Sequence, residues 1–77
     1  METAFVLIST RTGSETDVLK KVRAINGVEE AFVVYGVYDI VAKLKADTMG
    51  ELKEIVLQCI RKRSSITSTL TLIVAEE

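Results

Sequence analysis

The segment from Val34 to Asp39 contains the residues best suited to bind a small ligand. Gly36 lets another molecule approach the backbone closely, because glycine has no side chain and reaches positive φ readily. Backbone N–H groups beside it can hold a carboxylate, and Asp39 can accept a hydrogen bond from an ammonium group. A structural role is the more ordinary interpretation, since glycine and aspartate are common turn residues and Asp39 can bond its own turn. The residues alone leave both interpretations open.

Hydroxyl side chains recur near the C-terminus, where Ser68, Thr69, Leu70 and Thr71 follow one another. A row of hydroxyls can bind a small polar ligand through hydrogen bonds. Threonine is also a frequent choice on the half-solvated face of a strand, because its β-branched side chain suits extended backbone. Without further information, the structural interpretation is favoured here.

Several residue types that carry chemistry are absent or rare. The chain has no histidine and one cysteine, which excludes histidine general-base catalysis and a zinc site of histidines and cysteines within one chain. Glu29 with Glu30, and Glu76 with Glu77, are neighbours in sequence and are poor candidates for paired catalytic carboxylates. We therefore predict no catalytic residues, no metal and no cofactor.

Charge and hydropathy restrict the partners and the location. The net charge is −1, which argues against direct DNA binding, because no basic excess is present to displace counterions. Arg61, Lys62 and Arg63 are expected in the last turn of a helix, where they complement its dipole. No apolar run approaches the roughly 18–20 residues of a membrane helix, the N-terminus lacks the pattern of a signal peptide, and one cysteine forms no internal disulfide. These features predict a cytoplasmic protein that does not contact a membrane.

Hydrophobic periodicity predicts four strands and two helices in the order β-α-β-β-α-β. The strands are expected at residues 3–9, 28–35, 38–45 and 66–75, with a tight turn at Gly36-Val37 joining the second to the third. This order is that of the ferredoxin-like split βαβ fold, an α+β fold with a four-stranded antiparallel sheet and two helices on one face. The 77 residues are expected to form a single domain, residues 1–77.

Capping residues mark the ends of the two predicted helices. Ser14 and Asp17 resemble a capping box at the start of the first helix, and Gly27 is expected to end it. Thr48 and Glu51 form a Thr-x-x-Glu capping box at the start of the second.

The uncovered face of the sheet is expected to be apolar. Residues 3–9 and 28–35 are apolar at alternate positions on both sides, although the helices cover only one side of the sheet. A domain of this size has a small core, and exposed apolar patches usually mark association sites. We therefore expect this face to pack on another chain.

A family resemblance rests on the hairpin and the last strand together. Val28, Val34, Gly36, Tyr38 and Asp39 match a Val-x5-Val-x-Gly-x-Tyr-Asp pattern, followed by the motif Thr67-Ser68-Thr69-Leu70-Thr71. The chain resembles, over its whole length, the C-terminal effector domain of the Lrp/AsnC transcriptional regulators, also called the RAM domain. Family members usually carry an N-terminal helix-turn-helix, whereas this chain begins at the first strand, so it looks like a stand-alone effector module.

The resemblance implies a small effector, an amino acid, bound between dimers near the hairpin and the last strand. It also implies homodimers that pack sheet against sheet and then form a higher ring, an octamer or a similar assembly. The ligand-binding residues implied in this way are Tyr35, Gly36, Val37, Tyr38, Asp39, Thr69, Leu70 and Thr71.

Three other functions remain to be weighed. One is a ligand-free assembly partner of full-length Lrp/AsnC regulators, and another is an ACT-like regulatory subunit of a metabolic enzyme. The third, acylphosphatase-type catalysis on this fold, is disfavoured. It needs an arginine after the first strand and an asparagine on a later strand. Arg11 fits, but the only asparagine, Asn26, is predicted at a helix end.

Overall fold

A computed structural model describes residues 1–61 and 64–76. The elements in chain order are β1 (Glu2–Thr10), α1 (Glu15–Arg23), β2 (Val28–Val33), β3 (Ile40–Ala46), α2 (Met49–Cys59) and β4 (Ile66–Ile73). The strands form one antiparallel sheet in the order β2-β3-β1-β4, so β1 and β3 are central and β2 and β4 are edges. The predicted ferredoxin-like βαββαβ fold is confirmed.

The core lies between the sheet and the two helices. Alternate residues of the central strands point to the helices, because successive side chains of a strand project to opposite faces. Helix α1 packs mainly on β2, and α2 packs on β1 and β3. The largest fully buried side chains are those of Val6, Ile8, Val18, Val22, Ile40, Leu44, Leu52 and Cys59.

The two predicted capping boxes have different outcomes. Thr48 caps α2 as predicted, since its Oγ1 accepts a hydrogen bond from the backbone N–H of Glu51 at 3.2 Å. Ser14 is the N-cap residue of α1 as predicted, but the capping box does not form, because the Ser14 side chain makes no capping hydrogen bond. Its backbone N–H instead donates to the Arg11 carbonyl at 2.9 Å, which closes the turn after β1.

Gly27 does not end α1, which stops at Arg23 with Ala24 as its C-cap. Gly27 has a φ of +103°, and a Cβ atom there would overlap the side chain of Ile55 on α2. The glycine is therefore required where the loop after α1 passes under α2.

Several element ends differ from the expectation. β2 stops at Val33 and β3 starts at Ile40, so the predicted tight turn is a longer connection of residues 34–39. β4 stops at Ile73, two residues earlier than predicted. Arg61 lies beyond the end of α2 rather than in its last turn, while Lys62 and Arg63 lie outside the described residues. β2 and β3 are shorter than predicted because residues 35–38 lie outside the hydrogen-bonded ladder of these two strands. The Val34 N–H donates to the Asp39 carbonyl at 2.8 Å, just before the chain leaves the ladder.

The sheet face opposite the helices carries a cluster of apolar side chains, as the sequence predicts. Paired residues of antiparallel strands share a face, and the register places six apolar side chains together there. We call them the open-face cluster: Phe5, Leu7, Phe32, Val41, Leu70 and Leu72. Phe32, Leu70 and Leu72 are 51%, 43% and 50% exposed. On the same face, the Nζ atoms of Lys43 and Lys45 both lie 3.5 Å from the Glu29 carboxylate.

Candidate functional site

Residues 34–39, which we call the hairpin segment, leave the sheet beside the C-terminal end of β1. The segment is fixed at its base by two backbone hydrogen bonds, one within it and one to β1. Val34 N–H donates to the Asp39 carbonyl at 2.8 Å, and Asp39 N–H donates to the Ile8 carbonyl at 2.9 Å. The tip is therefore an outgrowth from a rigid base, the usual arrangement for a binding loop.

The carboxylate of Asp39 is already engaged by β1. Its Oδ2 accepts a hydrogen bond from the Thr10 N–H at 2.7 Å, and the Thr10 hydroxyl lies 3.4 Å away. A hydrogen bond to a charged acceptor is short and comparatively strong. Among the described residues, the Asp39 side chain accepts hydrogen bonds from Thr10 and none from its own turn, so its geometry favours a supporting role.

The tip of the hairpin segment presents backbone donors. Within the described residues, the N–H groups of Tyr35, Gly36 and Val37 donate no hydrogen bond. Gly36 has a φ of +156°, and a Cβ atom there would meet nothing within 4 Å. Backbone conformation, rather than lack of space, thus requires glycine at this position. The Tyr35 and Val37 side chains beside it are almost fully exposed.

A small groove lies between the hairpin segment and the open face. We call it the hairpin groove. It has a volume of about 240 Å³ and is lined by Leu7, Val34, Tyr35, Gly36, Val37, Tyr38 and Val41. Leu7 and Val41 are paired on the open face, so the groove opens on the side away from the helices.

The predicted residues of β4 divide between the two sides of the sheet. Leu70 is paired with Leu7 and lies on the open face near the hairpin groove. Thr69 and Thr71 are paired with Ile8 and Val6, so both lie on the helix side. Within the described part of the chain, their half-buried hydroxyls make no hydrogen bond. One chain therefore brings the hairpin segment and Leu70 together but separates both from the two threonines.

The family model of the Lrp/AsnC ligand binding domain matches residues 3–77. The chain belongs to this family. The resemblance carried by the hairpin and the last strand is thereby confirmed, and the chain is a member of a family of regulatory domains.

Individual relatives of this Lrp/AsnC domain differ widely in length. A hypothetical protein from Pyrococcus horikoshii is 42% identical with a TM-score of 0.86, covering 100% of this chain and 93% of that one. AsnC from E. coli is 26% identical with a TM-score of 0.83, covering 99% of this chain and 52% of that one. Homocitrate synthase from Saccharolobus solfataricus is 36% identical over an alignment of 74 residues, which covers 92% of this chain but only 16% of the synthase.

A larger concavity than the hairpin groove lies at the other end of the sheet of this Lrp/AsnC domain. It has a volume of about 480 Å³, and its lining includes Lys45, Asp47, Glu51 and Glu54. Sequence reasoning did not single it out, because its residues come from several separate segments with no shared motif. None of the residues predicted to bind a ligand lines it.

The acylphosphatase arrangement is not assembled in this domain. Arg11 follows the C-terminal end of β1, and its Nε donates to the Ser64 carbonyl at 2.6 Å. Asn26 lines the concavity at the opposite end of the sheet. In the ranges 1–61 and 64–76, no cluster of three or more histidine, cysteine, aspartate or glutamate residues is placed to hold a metal ion. None of the helices described is long and apolar enough to cross a membrane.

Proposed function

We propose that this Lrp/AsnC domain is a stand-alone effector-sensing module that assembles into homodimers and then rings, and binds an amino acid where dimers meet. Binding then regulates transcription or amino-acid metabolism in the cytoplasm. The observation that carries the proposal is the hairpin tip, where three backbone N–H groups lack partners within the described residues beside an uncharged groove. Such groups are suited to hold a carboxylate.

Assembly is supported by the open-face cluster. A group of six apolar side chains, three of them exposed, on one face of a small domain is typical of an association surface. The exposed Tyr35 at the hairpin tip adds an aromatic side chain of the kind that dominates interface energetics. The threonines lie across the sheet from the hairpin groove, so a site that uses both sets of residues needs more than one chain.

The effector class is supported by what related proteins bind. A transcriptional regulator from Neisseria meningitidis that shares this fold, at 20% identity and a TM-score of 0.78, forms a complex with L-Met. The stand-alone role is supported by the Pyrococcus horikoshii protein, of which this chain covers 93%.

A second candidate function is regulation of a biosynthetic enzyme, the role we also considered as an ACT-like subunit. It is favoured by the Saccharolobus homocitrate synthases, in which a segment similar to this chain is part of a much longer protein. In that case the same hairpin site senses an amino acid, and the output is enzyme activity instead of transcription.

Calorimetry with each of the twenty amino acids, combined with light scattering, tests the proposal. We expect one or a few amino acids to bind and the assembly to be at least a dimer. If none binds, the chain is a ligand-free assembly partner of full-length regulators. The two candidate functions are distinguished by adding the amino-acid-bound module to a DNA-bound Lrp/AsnC regulator and, separately, to a homocitrate synthase from the same source. Only one of the two activities is expected to change.

A further inference from the structure

We infer that β4 pairs edge to edge with β4 of a second copy of this chain, so that two four-stranded sheets join into one continuous sheet. This contact is distinct from packing on the open-face cluster, because backbone groups at the rim of the sheet make it. It goes beyond the proposed function, since it names a second assembly surface and the register in which two copies meet.

The outer side of β4 carries backbone groups without partners. β4 has only β1 as a neighbour, and its pairing with β1 is regular over residues 68–73. Directly after these residues, the Val74 N–H donates to the Thr3 carbonyl at 2.9 Å. Successive residues of an antiparallel strand bond the two sides in alternation. The residues whose N–H and C=O groups point away from β1 are therefore Thr69, Thr71 and Ile73. Within the described part of the chain, these outward groups make no hydrogen bond.

Charge distinguishes β4 from the opposite edge strand. β4 contains no charged residue, whereas β2 carries Glu29 and Glu30. The Ala31 carbonyl of β2 is also occupied, since it accepts a hydrogen bond from Nη2 of Arg23 at 2.7 Å. Two copies of β2 would bring like charges together, which is a common protection against edge pairing. Two copies of β4 meet no such repulsion, so this strand is suited to pair with itself.

The sequence of β4 is complementary to itself when a two-fold axis passes Thr71. In that register Thr71 lies opposite the partner's Thr71, and Thr69 lies opposite the partner's Ile73. All of the outward groups named above then have hydrogen-bond partners, and the contact closes because both copies use the same patch. On the open face Leu70 lies opposite the partner's Leu72, in the closely spaced pairs of an antiparallel ladder. Threonine pairs and apolar pairs across strands both stabilise a sheet.

The pairing also covers apolar surface that one chain leaves exposed. Leu70 and Leu72 belong to the open-face cluster and are 43% and 50% exposed. Because they approach their counterparts across the joint, the clusters of two copies become one continuous apolar surface. Ile73, on the helix side of the same edge, is 46% exposed and packs beside the partner's Thr69. Each copy thus covers residues of the other, which favours a second copy as the occupant of this edge.

Amide hydrogen exchange of the wild-type protein, followed by NMR, tests the pairing residue by residue. We expect the three outward amides of β4 to exchange as slowly as the inward amides of Leu70 and Leu72, because both sets are then hydrogen bonded. On an unpaired edge, the outward amides exchange at least about tenfold faster than the inward ones. Fast exchange of the outward amides overturns this inference. If the same protein binds an amino acid, the proposed effector function stands without it.

A proline substitution tests the contribution of this edge to assembly. Thr71→Pro removes an outward N–H and leaves the bonds to β1 in place, since an edge strand accommodates proline where the nitrogen faces away from the sheet. Thr71→Val is the matched control, because it keeps the N–H and the branched shape. We expect light scattering to show that Thr71→Pro lowers the mass of the assembly by a factor of at least about two, whereas Thr71→Val keeps the wild-type mass.

Circular dichroism shows whether each variant keeps the fold. A folded Thr71→Pro protein with the wild-type mass overturns the inference. If Thr71→Pro does not fold, Ile73→Pro makes the same change at the outward position nearest the end of the strand, with the same expected result and the same contrary outcome.

Discussion

Asp39 connects two parts of the chain that are 29 residues apart, through its hydrogen bond to the backbone of Thr10. The same residue donates its own N–H to the Ile8 carbonyl, so side chain and main chain both hold the hairpin segment against β1. A carboxylate is well suited to this position because it offers a charged acceptor to a part-buried backbone N–H, which otherwise lacks a partner.

Replacing Asp39 tests this supporting role. We expect Asp39→Ala to lower the free energy of unfolding by about 1–3 kcal/mol, because the N–H of Thr10 loses its acceptor. Asp39→Asn keeps an acceptor oxygen and is expected to have a smaller effect. Urea unfolding at a fixed protein concentration measures both. If Asp39 were instead the acceptor for an effector's ammonium, Asp39→Asn would reduce ligand affinity and leave stability unchanged.

The hydroxyl of Thr69 can be tested on its own, because it can be removed with little change in the shape of the side chain. Thr69→Val removes the hydroxyl and keeps almost the same volume. If Thr69 contacts the effector in the assembled ring, affinity is expected to fall by about 0.5–3 kcal/mol with assembly intact. Calorimetry with the amino acid that binds the wild type measures the change. Thr67→Val, an exposed position on the same strand, is the matched control, and equal affinities in both variants would place the effector elsewhere.

The two edge strands of the sheet differ in how they are protected from pairing with a further strand. The guanidinium of Arg23, at the end of α1, donates to the Ala31 carbonyl from Nε at 3.1 Å and from Nη2 at 2.7 Å. It thereby occupies an acceptor on the outer edge strand β2, which also carries Glu29 and Glu30. Charged side chains on an edge strand discourage pairing with a further strand. β4 contains no charged residue.

Arg23→Met removes these two hydrogen bonds and keeps much of the apolar stem. We expect a loss of about 0.5–1.5 kcal/mol in the free energy of unfolding, and a greater tendency to form large aggregates, because the β2 edge becomes available for pairing. Chemical unfolding and light scattering at high protein concentration measure these effects. Lys21→Met, an exposed position on the same helix that loses the same charge, is the control and is expected to behave as the wild type.

Local signals predicted the elements well and their ends less well. The cap at Thr48 is predictable because both partners lie within four residues of sequence. The role of Gly27 is not, because the reason for it is Ile55 on another helix. Alternation in β4 correctly separates Leu70 from Thr69, but the sequence does not show which set faces the helices. That depends on the pairing with β1, and it decides that the predicted site residues lie on two sides of the sheet.

For the molecule as a whole, the arrangement of layers leaves one sheet face uncovered. The helices bury one side of the sheet, and the other side carries the open-face cluster with the ion-paired Glu29, Lys43 and Lys45 beside it. A mixed surface of this kind, with apolar residues next to charged ones, is typical of an interface core and its rim.

Leu72→Lys tests whether this face mediates assembly. The expected result is dissociation to a monomer or partial unfolding, because an unpaired charge would enter a dry interface. Light scattering at micromolar concentration measures the mass of the assembly. Leu57→Lys makes the same change at an exposed position of α2 and is expected to leave the assembly unchanged. A wild-type protein that is a stable, well-folded 8.5 kDa monomer would contradict the proposed assembly.

The alternation of β4 has a consequence for how this protein can evolve. Leu70 and Leu72 belong to one side of the sheet, while Thr69 and Thr71 belong to the other. A point substitution changes one side and leaves the other intact, so the two surfaces are free to drift separately over generations. A one-residue insertion or deletion just ahead of them exchanges the leucines and the threonines between the two sides at once. Selection is therefore expected to hold the length of the chain before Thr69 more strictly than the identity of any one residue in the strand.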